Sequence, residues 1–225
     1  MSDAMKRLPA FILLCLLAGS LQSCAHSDPL IDRRMKELVR LNGKGTDAAL
    51  RKRLLAIGTR DQQVREAFYT MFAKGAKPAD VEAVNRKVAE TDLELTRELK
   101  EIVAQSGWPI IRLVGAEASS AATIMLVHSP DKEFQRRMLP ELEALFAKDQ
   151  IIGSDLAVLI DNLLIEDGKP QRFGTKFEVV NGEAVLGPVE DPDPKHLDEL
   201  RARYMLPSVE EFKKGFGQAF HVTAK

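Results

Sequence analysis

Cysteine is nearly absent: the chain has two, Cys15 and Cys24. The first falls inside a leader segment, so the mature chain keeps a single thiol, which excludes disulfides and thiolate zinc sites. An excess of either charge is also missing, with 32 Lys and Arg against 33 Asp and Glu and a formal net charge of -1. Removing residues 1–23 takes away Lys6 and Arg7 against Asp3 and leaves -2. That balance gives no electrostatic footprint for nucleic acid. The familiar catalytic signatures are absent too: no G-x-S-x-G elbow, no H-E-x-x-H helix, no P-loop and no G-x-G-x-x-G. His26, His196 and His221 lack metal-ligand spacing, so neither a metal nor another cofactor is expected.

No apolar run is long enough to cross a bilayer of roughly 30 Å hydrocarbon. The run from Leu8 to Ala18 follows Lys6 and Arg7 and precedes small and polar residues, which is the pattern of a secretory signal peptide over residues 1–23. "LQSC", Leu21 to Cys24, resembles the lipobox of bacterial lipoproteins, with Gln22 departing from the favoured residue. The resemblance implies lipidation at Cys24, with the membrane as a partner through that anchor. Ala25 after the cysteine implies the outer membrane, facing the periplasm, in a Gram-negative host.

Residues 24–29 read as a tether, 30–106 as a helical array, and 107–225 as a helical region with a β-hairpin, compact with the array as one domain. Leu30, Met35, Leu38 and Leu41 have near-helical spacing, and "NGKGT" ends that helix. "AALRKRLLAIG" and "RDQQVREAFYTMFAKG" read as two further helices divided near Gly58. A long charged helix follows, with Val81, Val84, Val88, Leu95, Leu99 and Ile102 as its apolar stripe. Pro109 turns Trp108 away from helix. Beyond it lie a small-residue helix ending at His128, a helix capped by Ser129 with Pro130 at its first position, and the apolar helix "DLAVLIDNLLIED". Asn181-Gly182 between two short apolar runs is a hairpin signal. The fold class is therefore α+β, predominantly α-helical, with one small antiparallel hairpin near the C-terminal third.

Two residues carry most of the chemical interest. His128 ends its helix, where a protonated ring favours the helix dipole, and it reads either as a packed histidine or as a proton-transfer group. Asp161 lies in an apolar helix and needs a partner or a raised pKa. It reads either as a catalytic carboxylate beside His128 or as a structural group bonded to Arg172 or Arg112. The acidic turn "DPDPKHLDE" lacks the EF-hand pattern.

In order along the chain stand "RDQQVR", "SGWPIIRLVGAEAS", "HSPDKEFQRRMLPEL", "DLAVLIDNLL", "GKPQRFGTKF", "GPVEDP" and "LRARYMLPS". This succession resembles the bacterial family catalogued as a domain of unknown function, number 6624, over nearly all of the chain from about Leu30. The resemblance implies Asp61, Gln62, Arg65, Trp108, His128, Gln135, Asp161, Gln171, Gly174 and Thr175 as recurrent positions. Asn162, Phe173 and Lys176 depart from the pattern, which has arginine, tyrosine and glutamine there.

Two functions are expected on these grounds. One is a lipid-anchored binding module whose amide-rich site at the hairpin edge takes a polar ligand or a protein partner, with Asp61, Gln62, Arg65, Gln135, Gln171, Gly174 and Thr175 lining it. The other is an envelope hydrolase or lyase working by acid-base chemistry at His128 and Asp161.

Overall fold

The computed structural model describes residues 29–73 and 78–220; the segment read as a signal peptide and most of that read as a tether lie outside the described residues. The helices are α1 (Pro29–Asn42), α2 (Ala48–Ala73), α3 (Pro78–Ser106), α4 (Ile111–Val114), α5 (Ala116–His128), α6 (Lys132–Phe146) and α7 (Gly153–Glu166). Strands β1 (Phe177–Val180) and β2 (Glu183–Leu186) follow, then α8 (Pro194–Arg203) and α9 (Val209–Phe220). The chain is thus α+β and predominantly helical, with one antiparallel hairpin. Among the described residues no helix is long and apolar enough to cross a membrane.

Helix α5 occupies the centre, against α2, α3 and α7. Its small side chains make this possible: Ala118, Ser119, Ala122 and Thr123 are all buried, so neighbouring backbones can come close on more than one side. Leu54 and Ile57 of α2, Leu95, Leu99 and Ile102 of α3, and Leu156, Leu159 and Ile160 of α7 complete one core cluster around it.

Gly58 does not divide α2, which runs through it without a break. A side chain there would put its Cβ 3.1 Å from that of Ala121. The glycine therefore serves the crossing of α2 over α5, outweighing its cost of roughly 1 kcal/mol inside a helix. The unbroken helix carries Asp61 and Arg65 up to the C-terminal end of α5.

The start of α6 also differs from expectation. Its cap is Asp131, whose side chain accepts from the Phe134 amide at 2.8 Å. Ser129 instead accepts from the Asp131 amide and from the Thr96 hydroxyl on α3, at 3.1 and 3.0 Å. The aspartate wins because the serine hydroxyl is already engaged across the helix interface.

The hairpin forms as its turn residues dictate: Asn181 and Gly182 both have positive φ, 53° and 82°, and Val180 pairs with Glu183. Positive φ at both central positions matches the twist of the strands. Phe177 and Ala184 from its inner face pack on Phe212 and Phe216 of α9.

Candidate functional site

Asp61 and Arg65 are four residues apart on α2, so they share a helix face. That face meets His128, the last residue of α5, and Asp92 on α3. His128 Nδ1 lies 2.7 Å from Asp61 Oδ1. Arg65 Nε lies 3.1 Å from the same oxygen and 3.0 Å from the same ring nitrogen, and its Nη2 reaches Asp92 Oδ1 at 2.5 Å. Gln62 Nε2 donates to the other oxygen of Asp61 at 3.0 Å. With the ring neutral and its proton on Nδ1, Asp61 Oδ1 accepts from both the imidazole and the guanidinium. Nε2 then carries the lone pair.

Burial makes these contacts consequential. The side chain of Asp61 is 1% exposed, that of His128 5% and that of Asp92 16%. Burial pushes the Asp61 carboxyl up, but the His128 ring in its protonated form and the Arg65 guanidinium, through charge and hydrogen bonds, outweigh it, and the group is held below the usual carboxylate range. For Asp92 burial prevails over the pull of Arg65 and His128, so its carboxyl is raised. Two carboxyls beside one imidazole are thus driven apart, the usual way in which acid and base roles separate.

One oxygen of each carboxylate and a His128 ring nitrogen lie within 4.8 Å of one another, a spacing that a divalent cation can bridge. The Arg65 guanidinium already stands among them and supplies positive charge to both carboxylates. A cation would have to displace it, and the set accordingly reads as an ion network around a histidine.

Asp161 does not join this group. Its side chain is fully buried, and Oδ1 accepts from the amides of Arg172 and Phe173 at 2.7 and 3.0 Å. Oδ2 accepts from the amide and hydroxyl of Thr175, both at 2.9 Å. It makes no hydrogen bond to His128, whose carboxylate is Asp61. The pairing of His128 with Asp161 is thereby corrected, and the structural reading of Asp161 holds, through the backbone of Arg172 rather than its side chain.

The amides expected at the hairpin edge also turn inward. Gln171 is 2% exposed; its Nε2 donates to the Lys176 carbonyl at 3.1 Å and its Oε1 accepts the Lys176 amide at 2.7 Å. The side chain copies a backbone partner and closes the loop. Gly174 takes φ +64°, and its carbonyl, with that of Phe173, accepts from Nη1 of the fully buried Arg201 at 3.0 and 2.6 Å. Thr175 is fully buried. Gln171, Gly174 and Thr175 therefore present no polar rim to a ligand, because the loop's own backbone consumes their hydrogen bonds.

Gln135, expected as a ligand residue, is buried as well and ends α5. Its Nε2 donates to the carbonyls of Leu126, Val127 and Ser129 at 2.8, 3.1 and 3.0 Å. Those acceptors flank His128, so Gln135 positions the histidine without facing solvent. Trp108 is 3% exposed within the core.

The family model that matches residues 48–225 is described as a family of unknown function, DUF6624. The chain belongs to that family. No curated protein and no solved structure matches it. The match begins at Ala48, later than the likeness read from about Leu30, and α1 lies ahead of it. Two of the residues expected from the resemblance to be departures lie in or beside the clamped loop. Phe173 is fully buried and packs on Tyr204, ring centroids 4.4 Å apart, and Lys176 is held by Gln171. Asn162 is adjacent to Asp161. Asp92 was invisible in the sequence because it sits among many acidic residues of a charged helix; only the threonines buried one residue before and four after it, Thr91 and Thr96, mark that face as inward.

Proposed function

We propose that this DUF6624 member is an envelope hydrolase or lyase with His128 as the proton-transfer group and Asp61 as its orienting partner. The observation that carries the reading is the 2.7 Å contact between His128 Nδ1 and a nearly fully buried carboxylate that also accepts from Arg65. In a hydrolytic step His128 Nε2 takes the proton of an attacking water, and Asp61 stabilises the imidazolium that forms. The proton then passes to the departing group as its bond to the substrate breaks, and the ring returns to neutral. Asp92, with its raised carboxyl, is the second titratable group at the site. The binding-module alternative loses its footing at the hairpin edge, where Gln171 and Thr175 are bonded internally.

The test is release of soluble fragments from purified peptidoglycan, with products separated by chromatography. Wild-type protein is expected to release them, and His128→Asn to lower the rate by about 10²- to 10⁴-fold while melting within a few degrees of wild type. Absence of release by the wild type, or equal release by the variant, overturns the reading.

The reading includes an envelope location through a lipid on Cys24, supported by the leader and the "LQSC" motif. Cells fed labelled palmitate are expected to incorporate it into the wild-type chain and not into Cys24→Ser. Label retained in the variant removes the anchor from the proposal.

A further inference from the structure

Helix α1 is built with two unlike faces. Its inner face carries Leu38, buried with Ile111, Ile152 and Met205, and Arg34, which pairs with Asp149 and Glu37. At 3.6 residues per turn, Arg33, Lys36 and Arg40 fall within an arc of about 60° on the far side from Leu38. All three are exposed, and none of them makes an ion pair among the described residues. The acidic residues of the helix lie at its margins: Asp32 on one side, and on the other Glu37, already engaged by Arg34. A chain with net charge -1 thus concentrates unpaired positive charge on one helix face.

The position of that helix identifies its partner. Cys24 stands five residues before Pro29, and five residues span at most about 17 Å. A lipid on Cys24 therefore holds α1 at the bilayer surface, whichever way the rest of the protein turns. The family match starts only at Ala48, so the stripe belongs to an element ahead of the matched domain.

We propose that the outer face of α1, through Arg33, Lys36 and Arg40, docks on anionic phospholipid headgroups and sets the orientation of the protein on its membrane. The lipid holds the chain near the bilayer, and the basic stripe selects one of its faces. Recruitment beside a tether is effectively intramolecular, so modest intrinsic affinity suffices. The role assigned to α1 rests on the lipid-anchor part of the functional reading, but the docking itself is measurable without the lipid.

The experiment is cosedimentation of the chain starting at Ala25, which keeps every described element, with vesicles of phosphatidylcholine alone or with about 30% phosphatidylglycerol, a fraction chosen to give a surface potential of the order that draws basic segments. Binding is expected only to the anionic vesicles, weakening as salt is raised. Replacing Arg33, Lys36 and Arg40 together by Gln is expected to reduce it on the order of a hundredfold, with no change in melting temperature because none of the three touches the core. Equal binding to both vesicle types, no binding to either, or an unaltered triple variant overturns the proposal. These outcomes are independent of palmitate incorporation and of activity, so failure here is distinguishable from failure of the anchored-hydrolase reading.

Discussion

Replacing Asp161 by Ala is expected to lower the stability of the protein by about 3–5 kcal/mol, or to prevent folding, without any direct effect on His128. The carboxylate accepts four hydrogen bonds, three of them from the backbone amides of Arg172, Phe173 and Thr175. Truncation leaves these donors in a region where Phe173 and Thr175 are fully buried, and each buried donor without a partner costs about 1–3 kcal/mol. Asp161→Asn keeps one acceptor oxygen and aims an NH2 group at an amide, so an intermediate loss of about 1–3 kcal/mol is expected. Urea denaturation of the chain from Ala25 measures both. A loss below about 1 kcal/mol in the alanine variant would show that water replaces the carboxylate and that the loop is not clamped as described. Arg201 holds the same loop by the carbonyls of Phe173 and Gly174 and is favourably coupled to the Asp161 charge, so the loss in the double variant with Arg201→Met should be smaller than the sum of the two single losses.

The opposite sign is expected at Asp155. It lies in the first turn of α7, 7% exposed, and accepts from the Ser120 hydroxyl at 2.6 Å. Burial pushes its carboxyl up to about 7, with Ser120 and Ser154 pulling against the shift. Between the ordinary value of 3.8 and about 7 the native state holds this proton while the unfolded chain has released it. Stability therefore falls as pH rises through that window and is level above it, at about 1.36 kcal/mol per unit and roughly 4 kcal/mol in all. Asp155→Asn removes the ionisation and keeps an acceptor for Ser120. The variant is expected to exceed wild type by up to about 4 kcal/mol at pH 8 and to approach it near pH 4. Thermal or urea unfolding at both pH values decides this. A stability difference that does not change with pH would mean that the wild-type carboxyl ionises normally at the α5–α7 contact.

Local patterns make most elements legible in the sequence. The stripe Leu95, Leu99 and Ile102 marks the buried side of α3, and Asn181-Gly182 marks the hairpin turn, because periodicity and left-handed backbone preferences are properties of a few adjacent residues. Where the reading failed, a distant residue had outweighed a local preference. Gly58 looks like a helix end until Ala121 is placed against it, and Ser129 looks like a cap until Thr96 takes its hydroxyl.

The candidate site shows the same division. The motif positions Asp61, Arg65 and His128 stand out in the sequence, as does the need of Asp161 for a partner, since residue type and an apolar setting are local facts. Which carboxylate meets which group is a long-range matter: Asp61 and His128 are 67 positions apart, and Arg65 and Asp92 are 27. By itself the sequence determined the helical class, the hairpin and the family likeness, because each depends on short-range pattern or ordered motifs. Only the tertiary structure decided that Asp61 rather than Asp161 pairs with His128, and that Gln135, Gln171 and Thr175 face inward. A polar side chain names the bonds it needs, but packing between distant helices decides whether backbone, another side chain or solvent satisfies them.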